Sequence, residues 1–215
     1  MTPRSHRRRP ARARRGGLLG VVASLLVVAA CGSDDSGTAE LSGVVRNPAP
    51  VVDGTTLPSL SDPGNEVTFR ADDGGIKVVY FGFTNCPDVC PTTLADFSVA
   101  LRRMDPTLAA DVDLVMATVD PDRDLDVLDR YVTSFVSDAQ AAGTTDEQLL
   151  LDAAEPFGAS WEVRRLDDGR IEVDHTPFLY AVDDAGRLLL TWQFGATAED
   201  MAGDLETLLT REATA

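Results

Sequence analysis

An α/β domain, a central mixed sheet flanked by helices, is the fold class that this 215-residue chain predicts, on three observations. Two runs rich in β-branched and apolar residues, Val78 to Phe83 and Val112 to Val119, suit buried strands. Helical periodicity follows each of them: Leu94, Phe97, Leu101 and Met104 after the first, Leu125, Leu128, Tyr131, Val132 and Phe135 after the second. Two turn signals, Asp167-Asp168-Gly169-Arg170 and Asp183-Asp184-Ala185-Gly186-Arg187, then join short apolar segments as hairpins, which adds antiparallel strands.

In chain order, residues 1–30 read as an export signal of the lipoprotein type. Seven arginines lie between Arg4 and Arg15, an apolar stretch runs from Leu18 to Val28, and Ala29-Ala30 precede Cys31. The apolar stretch is short of the roughly 20 residues a membrane span requires. Leu-Val-Val-Ala-Ala-Cys resembles a bacterial lipobox, which makes Cys31 the lipidated first residue of the mature protein. Arg14-Arg15-Gly16-Gly17-Leu18 is compatible with a twin-arginine signal, and the export route stays open. Residues 31–50 are small and polar and predict a flexible, disordered tether, which leaves 51–213 as the domain.

Between Val51 and Arg70, Pro58, Pro63 and Gly64 interrupt short apolar pieces and predict a hairpin or loop; Asp72-Asp73-Gly74-Gly75 then turns the chain into the strand at Ile76. Asp105-Pro106 ends the first helix. One helix is expected over Leu125 to Val136, then a Gly-Thr-Thr break and another helix from Asp146 to Glu155. The hairpins pair Trp161–Val163 with Ile171–Val173, and Phe178–Val182 with Leu188–Phe194, and a helix from Ala198 to Leu209 closes the domain. Met104 and Met116 read as core residues.

Charge excludes some partners. Residues 31–215 carry 12 basic against 35 acidic groups, a net charge of −23, which argues against nucleic acid and anionic membrane surfaces. Three cysteines are too few for a disulfide scaffold, and with Cys31 lipidated Cys86 and Cys90 form an isolated pair. Closing so short a loop would constrain the unfolded chain little, so a structural disulfide is the weaker interpretation.

The chemistry therefore concentrates in Cys86-Pro87-Asp88-Val89-Cys90-Pro91, which follows the strand and opens a helix. Pro87 and Pro91 are tolerated there because the first turn has no use for its N–H groups. The helix N-terminus favours thiolate over thiol, so both cysteines are expected to have lowered pKa values. Cysteines at i and i+4 fall on one helical face, where two sulfurs can converge on one ion. His175, alone after the signal is removed, closes the Ile171-Glu172-Val173-Asp174 strand and is the candidate third ligand. Two thiolates and an imidazole suit copper, Cu(I) through sulfur and Cu(II) through nitrogen. Zinc would want a fourth ligand, for which only a carboxylate such as Asp88 or Asp174 is at hand. Asp120, Arg123 and Asp124 are open to two interpretations, a helix cap with a surface ion pair or a functional loop.

Phe-Gly-Phe-Thr-Asn-Cys-Pro-Asp-Val-Cys-Pro-Thr-Thr-Leu (81–94), Val-Asp-Pro-Asp-Arg-Asp (119–124) and Val-Asp-His-Thr (173–176) closely resemble the Sco/SenC family, in the same order and across roughly residues 50–212. The resemblance implies a thioredoxin-like fold, extracytoplasmic membrane attachment through a lipid anchor, and copper held by Cys86, Cys90 and His175. It implies a metallochaperone that delivers copper to, or reduces the cysteines of, the dinuclear copper centre of cytochrome c oxidase. Its partners would be the oxidase's copper-bearing subunit, other copper chaperones and thiol-disulfide reductases. Phe83 replaces a frequent family tyrosine, and Thr176-Pro177 stand where many members have serine and no proline; neither removes a ligand. Pro177 raises the question of a cis peptide. The competing function is a thiol:disulfide oxidoreductase using Cys86 and Cys90 alone. A peroxiredoxin-like peroxidase ranks third, since no arginine is tied to the cysteine loop by sequence.

Overall fold

The computed structural model describes residues 40–212. Both apolar runs become strands, one buried at all seven positions and the other at its last five; neither alternates, because both sheet faces are covered. The strands are β1 (Val44–Val45), β2 (Leu57–Pro58), β3 (Glu66–Val67), β4 (Ile76–Gly82), β5 (Val112–Thr118), β6 (Gln140–Ala142), β7 (Trp161–Arg165), β8 (Ile171–His175), β9 (Leu179–Val182) and β10 (Leu188–Trp192). The helices are α1 (Val89–Arg103), α2 (Pro106–Ala109), α3 (Pro121–Asp124), α4 (Leu128–Thr133), α5 (Glu147–Ala154) and α6 (Ala198–Glu212), with a 3₁₀ turn at Glu155–Phe157.

Six strands make the central sheet in the order β1-β10-β9-β4-β5-β6. β4, β5 and β6 are parallel, whereas β9, β10 and β1 pair antiparallel, so the sheet is mixed as expected. On one face α1 buries Cys90, Thr93, Leu94, Phe97 and Ala100, a stripe at helical spacing. On the other, Phe81 meets Phe69, Phe157 and Tyr180 with ring centroids 5.2–6.3 Å apart, contacts worth about 0.5–1.5 kcal/mol each beyond burial. Parallel β4 and β5 finish at one sheet edge, with Gly82 opposite Thr118, and the loops that leave there carry the cysteines and Asp120–Asp124.

Several expectations need correction. The segment assigned to the tether is ordered from Leu41: Val44 and Val45 pair with Thr191 and Leu190, and the amides of Ser42 and Gly43 donate to buried Asp204 at 2.7 and 2.9 Å. Two valines are too short a run to stand out as a strand, and this one is held by backbone hydrogen bonds to an existing sheet edge. The helix expected over 125–136 is regular only as α4, framed by turns in which Val127 N–H donates to the Asp124 carbonyl and Phe135 N–H to that of Val132. β6 was unforeseen, since Gln140-Ala141-Ala142 lacks the β-branched signature. The β7–β8 hairpin is longer than expected and forms its own two-stranded sheet. The cis peptide bond among the described residues is Asn47–Pro48, not Thr176–Pro177. The export signal, Cys31 and the start of the tether lie outside the described residues.

Candidate metal centre

The site begins with a buried carboxylate. Asp124, fully buried, accepts hydrogen bonds from the Thr84 amide (2.9 Å), the Thr84 hydroxyl (2.5 Å) and the Thr118 hydroxyl (2.7 Å). It ties the loop leaving β4 to the end of β5, two residues before Cys86. Asp120 is also buried and pairs with Arg123, and no side-chain capping bond forms at α3. The ion pair considered from sequence thus forms, but with its carboxylate buried and without a side-chain cap, while Asp124 serves the cysteine loop; burial raises the Asp120 pKa against the pull of Arg123.

Cys86 precedes α1 and is half-buried, whereas Cys90, its second residue, is fully buried. The Cys90 amide donates to the Cys86 sulfur at 3.2 Å, an i to i+4 contact that turns the sulfur toward the helix. His175 arrives from β8, where it pairs with Trp161, and the Thr176 amide donates to the Ser160 carbonyl at 2.9 Å just beyond it. Its Nε2 lies 3.4 Å from the Cys90 sulfur. Its Nδ1 lies 3.1 Å from the Thr176 carbonyl oxygen, which can only accept, so Nδ1 carries the hydrogen and the Nε2 lone pair faces the sulfurs. Tyr80 and Phe83 hold the imidazole edge-on, at centroid distances of 5.9 and 5.6 Å.

The three donor atoms all lie within 4.8 Å of one another, a span one small ion can bridge. All three residues singled out from the sequence meet here. Asp88 and Asp174 do not join them: Asp174 pairs with Arg164, and Asp88 faces the Thr92 hydroxyl at 3.4 Å. Two sulfurs and one imidazole, with no fourth ligand grouped with them among the described residues, fit copper better than zinc.

Comparison with known proteins identifies the family. The SCO1/SenC family model matches residues 59–210. The chain belongs to the SCO1/SenC family. A SCO2-like protein of Rickettsia prowazekii is 30% identical over 147 residues, 66% of this chain and 70% of its own length. Protein sco1 of Schizosaccharomyces pombe is 29% identical over 144 residues, 65% of this chain and 54% of the relative. The solved structure of Bradyrhizobium japonicum ScoI with copper bound is 29% identical, with a TM-score of 0.60, and covers 71% of this chain and 95% of that one. The fold is the thioredoxin-like one of Sco proteins.

The electrostatics of this Sco site overturn one expectation. Burial pushes the Cys90 thiol up to about 12, although a hydrogen bond from the Phe83 backbone acts the other way, so the helix N-terminus does not make it a thiolate. The sulfur points into the core, where desolvation outweighs the dipole. Burial also lowers the His175 pKa, which keeps the imidazole neutral. Without metal the Cys90–His175 contact is thus a thiol beside a neutral imidazole, and a metal must displace a proton to bind there. Sequence reasoning missed Thr84, Thr118 and Tyr80 as parts of the site. A threonine ending the buried, apolar part of a strand was the available signal for Thr118; Tyr80 reads simply as core.

Proposed function

We propose that this protein binds copper through Cys86, Cys90 and His175, outside the cytoplasm and anchored to the membrane by lipidated Cys31. It delivers copper to, or prepares the thiols of, the dinuclear copper centre of cytochrome c oxidase. The observation that carries the reading is the Cys₂His group with its Nε2 lone pair turned to the sulfurs. Membership of a family with copper-bound members supports it. Two thiolates hold Cu(I), and the imidazole extends the site to Cu(II). Cys86 and His175 are only part-buried, so an acceptor can reach the ion without opening the core.

The second function, a thiol:disulfide oxidoreductase, is favoured by the same asymmetry: an accessible Cys86 to attack and a buried Cys90 to resolve. His175→Ala separates the two. Titrated with copper in the reduced and oxidised states, the wild type should bind only when reduced. The variant should lose Cu(II) affinity about 10- to 100-fold, lose less for Cu(I), and keep its dithiol chemistry. Equal Cu(II) binding by both would sink the Cys₂His assignment.

A further inference from the structure

Two buried hydroxyls beneath the sulfur pair make no hydrogen bond of ordinary geometry: Tyr80 Oη and Thr93 Oγ1. Such groups are costly, and phenylalanine or valine would fill the same space without the cost. Their placement is specific. Thr93 lies one helical turn beyond Cys90 on the buried face of α1. Tyr80 leaves β4 on the side covered by α1, with its ring edge against His175 and its hydroxyl beside the side chains of Cys90 and Thr93. The ring passes over Gly82: a Cβ there would come within 2.7 Å of Tyr80 Cε1 and 3.0 Å of Met116 Cε. Room for the tyrosine is thus provided by the backbone, and the ring, fully buried, has nowhere else to go.

A neutral thiol is a weak hydrogen-bond acceptor, whereas a metal-bound thiolate is a strong one. We propose, resting on the copper-binding reading above, that Tyr80 is a positioning residue for Cys90. Its hydroxyl donates to the Cys90 sulfur once copper is bound, and Thr93 in turn donates to the Tyr80 oxygen. The cost carried by the metal-free protein is recovered on loading, which favours the loaded form. The relay also makes the two sulfurs unequal: Cys90 gains a buried O–H donor, while half-buried Cys86 has the Cys90 amide and solvent. Cys90 is then the ligand that keeps the ion, and Cys86 the one that an acceptor displaces.

The test compares the full-length protein with Tyr80→Phe and Thr93→Val. Each is loaded with Cu(II) for absorption spectroscopy and separately titrated with Cu(I) against a competing chelator. An O–H donor lowers the energy of the sulfur lone pairs, so Tyr80→Phe should shift the sulfur-to-Cu(II) charge-transfer band to lower energy. It should also weaken Cu(I) binding about tenfold. The melting temperature of the copper-free variant should be equal to or higher than that of wild type, because an unsatisfied group has gone. Thr93→Val should move the band in the same direction by less. A Tyr80→Phe protein that binds copper with the wild-type band and affinity overturns the relay and leaves the copper site standing. A wild type that takes up no copper overturns the copper site itself, and the relay with it.

Discussion

Cys90 and His175 sit 3.4 Å apart as neutral groups, and the imidazole sets how the metal-free protein responds to acid. His175 has a folded pKa below its ordinary 6.5, because burial disfavours the charged ring. The unfolded chain therefore binds the proton more readily, so stability is fully present above pH about 6.5 and is lost as pH falls through that value. Melting temperatures of the reduced, metal-free protein between pH 7.5 and 5 should fall more steeply for wild type than for His175→Asn. Parallel profiles would show that the ring does not titrate this way. At this scale the convergence of the three candidate donors was legible, because cysteines at i and i+4 with one distant histidine form a donor set few other roles explain. The ionisation of Cys90 was not: a helix N-terminus can be seen in Pro87 and Pro91, but the burial of one sulfur cannot.

Among the elements, the clamp at Asp124 is the one on which the cysteine loop depends. Asp124→Ala leaves the Thr84 amide and the Thr118 hydroxyl without their acceptor inside the protein, which should cost about 2–4 kcal/mol in denaturant unfolding. Asp124→Asn, with one acceptor oxygen left, should cost less, and both should weaken copper binding. Unchanged copper affinity in a folded Asp124→Ala protein would show that the loop holds its position without the clamp. β1 offers a second case. A chain that starts at Val51 loses the Ser42 and Gly43 amides that bond to Asp204, leaving that buried carboxylate with only the Trp192 indole N–H at 2.8 Å. It should unfold with about 1–3 kcal/mol less stability than a chain starting at Glu40, at unchanged copper affinity. Equal denaturation midpoints would contradict this. β4, β5, α1 and the hairpins were legible because apolar runs, helical spacing and Asp-Gly turns act locally. β1 and β6 were not, since two or three residues added to an existing sheet edge draw their stability from the neighbouring strand.

For the whole molecule, the proposed anchor at Cys31 makes a prediction. The mature protein should begin with that residue, carry lipid and sediment with membranes, and Cys31→Ser should leave it unprocessed or release it. An intact, unacylated N-terminus by mass spectrometry would contradict the anchor. The bond between Asp204 and residues 42–43 then has a geometric consequence. It fixes the chain to the folded domain at residues 42–43, so a lipid on Cys31 would be joined to it by about ten residues, which span no more than about 35 Å. β1 starts beside Thr191, near the end of β10, and β10 and β4 both run toward the edge where the sulfurs lie. Residues 42–44 therefore lie at the end of the sheet from which the cysteine loop leaves. Lipidated as proposed, the protein would be tied to the bilayer through that end of the sheet, which would limit it to acceptors close to the membrane.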